Sequence, residues 1–139
     1  MTIRIFTGIV ALSVALVTGC ADSNQPTFPA LHPVKGVVKR GSGAVSGGVV
    51  RFLPEPDKGE FIVNAEVGQD GTFTLTTVRS TDSRGERKTG APAGAYKVTY
   101  TPLLGEQKAG ATVSGPVNVP GSITIQSGNN DLTIDLTKK

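Results

Sequence analysis

Residues 34–139 predict an all-β fold, a seven-stranded antiparallel β-sandwich, on three observations. Apolar and polar residues alternate with a period of two over short runs, the pattern of strands that bury one face. Gly, Pro, Asn and Asp separate those runs and supply turn conformations. No segment beyond residue 33 carries an amphipathic helical period of useful length.

Each strand reads directly from this alternation. Val34 to Lys39 forms the first and Val49 to Leu53 the second. In the third, Phe61, Val63, Ala65 and Val67 share one face while Ile62, Asn64 and Glu66 take the other. Phe73 and Leu75 alternate with Thr72, Thr74 and Thr76 in the fourth, and Tyr96, Val98 and Tyr100 with Lys97, Thr99 and Thr101 in the fifth. Ile123 and Ile125 mark the sixth; Leu132, Ile134 and Leu136, alternating with Asp131, Thr133 and Asp135, mark the seventh. Gln69-Asp70-Gly71 is expected as a hairpin turn, because Asp-Gly tolerates positive φ. Ser127-Gly128-Asn129-Asn130 plays the same part before the last strand. The connection from Pro102 to Gly121, rich in Gly, Pro and small residues, is expected to cover strands rather than to form a site.

Upstream of the strands the chain has a different character. Met1-Thr2-Ile3-Arg4 precedes the apolar run Ile5 to Val17, and Val17-Thr18-Gly19-Cys20 closes it with small residues before the only cysteine. This arrangement resembles a bacterial lipoprotein signal, whose residues before the cysteine are cleaved while the thiol is lipidated. A run of this length rises about 20 Å as a helix, short of a hydrocarbon core of about 30 Å, so a permanent membrane span is not expected. The implied organisation is a signal peptide over 1–19, a lipidated cysteine and proline-broken flexible tether over 20–33, and the sandwich over 34–139. Arg4 would leave with the signal, so 13 of the 14 Lys plus Arg remain against 11 Asp plus Glu. So small an excess, with no block of like charge, gives nucleic-acid binding no support. One cysteine also excludes an intramolecular disulfide.

A set of motifs runs through the strands: Val34-x-Gly36-x-Val38; Val45-x-Gly47-x-x-Val50-x-Phe52-x-Pro54; Ala65-x-Val67-x-x-Asp70-Gly71-x-Phe73-x-Leu75; and Gly90-x-Pro92-x-Gly94-x-Tyr96-Lys97-Val98-Thr99, closed by Asn130-Asp131-Leu132-x-Ile134-Asp135-Leu136. Together they resemble the small planctomycete-type lipoproteins that carry a carboxypeptidase-regulatory-like, transthyretin-like domain, a relative in outline of immunoglobulin-like sandwiches. The resemblance covers nearly all of residues 34–136 and implies that fold and a cell-envelope location. Gly68 departs from the family's acidic or polar turn residue, which touches only the turn geometry.

Catalytic chemistry finds few groups to use. His32 is the one histidine, set between Leu31 and Pro33 where no third group holds it, and it is expected in solvent. Transthyretin-like hydrolases of hydroxyisourate use several histidines and a Tyr-Arg-Gly-Ser terminus, whereas this chain ends Leu136-Thr137-Lys138-Lys139. Acids fall in loops or on polar strand faces, so a hydrolase using loop carboxylates is the alternative and not the first reading. Asp70 lacks the neighbouring acids that a calcium loop needs, and neither a metal nor a cofactor is expected. A Lys to Asn isopeptide bond would draw on Lys35 or Lys39, Asn129 or Asn130, and Glu66 as acid. The lysines share a face with Val37 and the asparagines read as a turn, so exposed lysines and turn asparagines are expected instead.

Binding has a better candidate. Residues 79–93 form a long polar connection in which Arg79, Arg84, Arg87 and Lys88 outnumber Asp82 and Glu86. An anionic partner is the chemistry such a loop fits: an acidic polysaccharide, a lipid head group or the acidic surface of an envelope protein. The resulting expectation is a non-enzymatic binding or structural module of the cell envelope, held on a membrane through Cys20, with its domain on a periplasmic or outer-surface face. A passive envelope component without a specific ligand is the other alternative.

Overall fold

The computed structural model describes residues 25–82, 85–103 and 115–137. In chain order the strands are β1 (Leu31–His32), β2 (Val34–Arg40), β3 (Gly43–Ala44), β4 (Val49–Glu55), β5 (Phe61–Glu66), β6 (Thr72–Thr74), β7 (Thr76–Arg79), β8 (Arg87–Thr89), β9 (Ala91–Pro92), β10 (Gly94–Thr101), β11 (Val117–Ile125) and β12 (Asn130–Asp135). The described residues hold no helix, in agreement with the all-β expectation.

Strand pairing forms a six-stranded antiparallel sheet in the order β11-β10-β4-β5-β7-β8 and a four-stranded sheet in which β2 pairs β12, β3 and β6. The alternation read from sequence sets what lies between them. Val50 and Phe52 of β4, Val63 and Ala65 of β5, and Tyr96, Val98 and Tyr100 of β10 point to one side, where Val34 and Val38 of β2, Phe73 of β6 and Ile134 of β12 meet them. Phe52 lies 6.3 Å from Phe73 across the two sheets and 5.9 Å from Tyr96 of its neighbouring strand β10. Such pairs add about 0.5–1.5 kcal/mol each to the area that they bury. The layout is β-sandwich-like.

Three expectations are corrected here. The seven segments read as strands all carry strand structure, but five more strands accompany them, β1, β3, β7, β8 and β9. The arrangement is not antiparallel throughout either, because β12 pairs β2 in parallel from Asn130↔Val34 to Asp135↔Lys39. Last, the Asp70-Gly71 turn joins two sheets rather than a hairpin: β5 pairs β4 and β7, whereas β6 pairs β2. The amide of Val67 donates to Gly48 O at 2.9 Å, after which the chain turns away through Gly71 at φ 81°.

Leu75 is the point where the expected fourth strand divides. It is wholly buried, its amide donates to Val34 O of one sheet, and its carbonyl accepts from Gly90 N beside the other. The chain thereby passes from β6 to β7 with its backbone polar groups satisfied. The expected cover from Pro102 to Gly121 is shorter than read, since β11 begins at Val117 and supplies the sheet edge. Pro120 sits in that edge strand, where a missing N–H costs no ladder bond.

The sheets have two distinguishable ends. At one, which we call the entry end, lie the loop after Glu55, residues 80–82 and 85–86, and the Pro92–Gly94 corner, where Glu55 faces Ala95 and Phe61 faces Arg79. At the other lie Gly41, Gly47, Gly68 and Leu103, the last half exposed over Gly47.

Candidate functional site

The long loop of residues 79–93 is more ordered than its composition predicts. Thr76, Thr77 and Val78 pair with Thr89, Lys88 and Arg87, so β7 and β8 make a hairpin at the sheet edge. Polar residues mislead here because an edge strand needs only one apolar face, and Thr and Arg satisfy the other. Thr77 is the sole buried polar residue of the described core, and its hydroxyl donates to Gly90 O at 2.7 Å.

Arg79 sits at the centre of the entry end with its side chain 15% exposed. Its Nε donates to Pro26 O at 2.7 Å, its Nη1 to Glu86 Oε2 at 2.7 Å and to Gln25 Oε1 at 3.4 Å, and Asp82 lies 3.7 Å away. Its guanidinium also covers the Phe28 ring at 4.2 Å. Lys88 covers the same ring at 4.6 Å and pairs with Glu86 at 3.5 Å. Arg87 donates to Asn64 Oδ1 and Thr76 Oγ1 at 3.2 and 3.0 Å. Of the four cations proposed for an anionic partner, Arg79 and Lys88 meet over the Phe28 ring, while Arg87 turns to Asn64 and Thr76; all three hold intramolecular partners, and Arg84 lies outside the described residues, as does Cys20. Lys58, Arg79, Arg87, Lys88 and Lys97 are balanced at this end by Glu55, Asp57, Glu60, Asp82 and Glu86, so its described charges cancel.

Residues 25–33, read from sequence as the distal part of a tether, are built into the domain. Phe28 packs 5.6 Å from Phe61, β1 pairs β9 through Leu31↔Pro92 and His32↔Ala91, and Pro33 O accepts from Asn130 N at 3.0 Å. Gly90 makes room for the strap. At φ +103° a Cβ there would stand 2.7 Å from His32 O. His32, expected in solvent, is half-buried and its Nδ1 accepts from Gly128 N at 3.1 Å. Phe28 was not singled out from sequence, although it is the only Phe, Tyr or Trp between Phe6 and Phe52. A lone aromatic in a proline-rich segment is the signal that could have marked it.

The carboxylates have local duties. Asp70 accepts from Thr72 Oγ1 at 2.7 Å and Thr72 N at 3.1 Å, and Asp135 accepts from Thr137 Oγ1 at 2.7 Å and Thr137 N at 3.0 Å. Hydrogen bonds from those threonines hold both carboxyls below the usual Asp range. Glu55 accepts from Ser122 Oγ at 2.5 Å and pairs with Lys97 at 3.0 Å. These bonds, Ser122 first, lower its pKa as well, which makes Glu55 a poor base towards the Ser122 hydroxyl. No group of three or more His, Cys, Asp or Glu among the described residues could hold a metal ion.

The isopeptide arrangement is likewise not assembled. Lys35 is exposed, Lys39 is half-buried on the same outer face, and Asn130 Nδ2 donates to Gln126 O and Gly128 O as a turn residue. A concavity of about 860 Å³ lies on that outer face between Lys35, Thr74 and Asp131, away from the cationic hairpin. A smaller one of about 370 Å³ lies at the entry end between Thr27, Pro29, the loop after Glu55 and the Pro92–Gly94 corner.

The chain matches no protein-family model, no curated protein and no solved structure. The resemblance drawn from its strand-and-turn motifs therefore stands on those motifs alone.

Proposed function

We propose that this chain is a lipid-anchored protein of the bacterial cell envelope whose strands form a transthyretin-like, immunoglobulin-like sandwich, and that it serves as a non-enzymatic binding or structural module. The observation that carries the anchor is Cys20, the only thiol of the chain, placed after Ile5 to Val17 and the small residues Thr18 and Gly19. With residues 1–19 cleaved, a diacylglyceryl thioether and an amide-linked acyl chain would hold the protein durably, since each buried CH₂ contributes about 0.8 kcal/mol. The non-enzymatic reading draws support from the duties of the acids: Asp70 and Asp135 fasten turns, Glu55 joins Ser122 to Lys97, and Asp82 and Glu86 pair with Arg79. A hydrolase would need two acids facing one cleft, or a base of raised pKa beside a nucleophile.

The decisive experiment is the intact mass of the full chain after expression in a bacterium and extraction from its membranes. The expected mass lacks residues 1–19 and gains acyl groups on Cys20, while Cys20→Ser leaves the protein unacylated and free of the membrane. An unmodified Cys20 in membrane extracts would sink the anchor. For the module's partner, cross-linking in envelope extracts of the wild type beside a copy with Arg79, Arg84, Arg87 and Lys88 changed to Ser tests the loop. A saturable partner lost in the altered copy supports an anionic ligand there; no partner for either copy leaves a passive envelope component.

A further inference from the structure

We propose that residues 25–33 are a docked strap that fixes which end of the domain faces the membrane, with the entry-end loops against the lipid headgroups and the Gly41–Gly47 end pointing away. This deepens the function proposed above and rests on its anchor at Cys20. The strap is pinned at successive points: Gln25 and Pro26 to Arg79, Phe28 to Phe61, Arg79 and Lys88, Leu31 and His32 to β9, His32 to Gly128, and Pro33 to Asn130. Its first pinned residue, Gln25, meets Arg79 at the end of β7, and Ser80 next to it bonds the carbonyls of Gly59 and Glu60 in the loop after β4.

The free length between anchor and domain is therefore small. Only residues 21–24 separate Cys20 from Gln25, and five chain steps span at most about 17 Å at roughly 3.5 Å each. A tether free through residue 33 would reach more than twice as far and let the domain tumble. With the strap docked, the entry end cannot leave the headgroup region, whereas β2 and β4 to β5 carry the Gly41 and Gly68 turns to the opposite end. The strap, and not charge, sets this orientation, since the described cations and acids of the entry end are equal in number. The partner surface is a lipid headgroup layer, met by Lys58 and Lys88.

The test uses the chain from Cys20 to Lys139, coupled through its single thiol to a maleimide phospholipid on phosphatidylcholine vesicles. Acetylation rates of individual lysines are read by peptide mass spectrometry, beside the same protein whose thiol carries a small soluble cap. Lys58 and Lys88 are expected to slow several-fold on vesicles while Lys39, beside the Gly41 turn, keeps its rate. A flexible Gly/Ser spacer of about twenty residues between Asn24 and Gln25 should restore Lys58 and Lys88 without touching the fold. Equal slowing of Lys39, no slowing of any lysine, or slowing that survives the spacer would each overturn the inference. Because the coupling is chemical, these readouts do not depend on acylation in the cell. An unacylated native Cys20 overturns the anchor by its own measurement, so the two failures are told apart.

Discussion

The guanidinium of Arg79 lies 4.2 Å from the centroid of the Phe28 ring while its Nε donates to Pro26 O at 2.7 Å, so one side chain fastens the N-terminal strap by two different forces. Lys88 covers the ring at 4.6 Å and Phe61 packs against it at 5.6 Å. Phe28→Ala removes all three ring contacts. Each of the two cation–π contacts near the surface contributes about 0.5–1 kcal/mol and the ring pair about 0.5–1.5 kcal/mol, so a loss of about 1.5–3.5 kcal/mol is expected in urea denaturation. Arg79→Lys should lose part of that amount, because an ammonium can neither stack flat on the ring nor reproduce the Nε geometry, while the Lys88 and Phe61 contacts of the ring remain. Additive losses in the Phe28→Ala, Arg79→Ala double mutant would refute a direct coupling of the two side chains.

Where the sequence could be read and where it could not follows from which forces set each element. Period-two alternation in 61–67, 96–101 and 131–136 carries the core because those strands bury one continuous face. It cannot tell which strand pairs with which, so the parallel match of β12 with β2 and the change of sheet at Leu75 left no trace in it. Edge strands β8 and β9 escape for another reason. Lys88 and Thr89 are exposed and Ala91 alone of its strand is buried, so no alternation long enough to register is present. The cationic cluster was legible as residues but not as partners: Asp82 and Glu86 lie close by in sequence, whereas Gln25, Pro26 and Phe28 lie more than fifty residues away.

Gly36 offers a sharp test of how tightly the four-stranded sheet packs around β2. A Cβ there would stand 2.5 Å from the ring of Phe73 and 2.6 Å from the carbonyl oxygen of Leu132. Phe73 is buried and the carbonyl belongs to the backbone of the paired strand β12, so neither gives way cheaply. Overpacking of this kind typically costs about 1–3 kcal/mol, and Gly36→Ala should fall at or above the top of that range. Thermal denaturation measures it; Gly43→Ala, where nothing lies within 4 Å, is the companion expected to stay near the wild type.

Acid should loosen the fold from its turns. The folded pKa values of Asp70 and Asp135 lie below their ordinary 3.8, and that of Glu55 below 4.5, because threonine, serine and lysine donors favour the charged carboxylates. A lowered folded pKa means that this stabilisation is fully present above the unfolded value and is lost as pH falls through the folded one. Urea midpoints should therefore hold between pH 7 and about pH 5 and decline below about pH 4. In the Asp70→Asn, Asp135→Asn double variant the decline should be shallower; an unchanged slope would remove these two carboxyls as its source.

Alkali acts on the other side through Tyr96. Its ring is 1% exposed, its hydroxyl donates to Pro92 O at 2.8 Å, and burial pushes its pKa from 10.0 up to about 12. Since the folded value exceeds the unfolded one, the neutral phenol stabilises the fold below pH 10 and that contribution disappears as pH rises through about 12. The chain has only two tyrosines and no tryptophan, so absorbance titration can resolve them. Tyr96→Phe should lose about 1 kcal/mol at neutral pH, for the hydrogen bond to Pro92, and lose less of its remaining stability between pH 10 and 12 than the wild type. Ionisation of Tyr96 near pH 10 in the folded protein would show that solvent reaches its hydroxyl and that the Pro92–Gly94 corner is open.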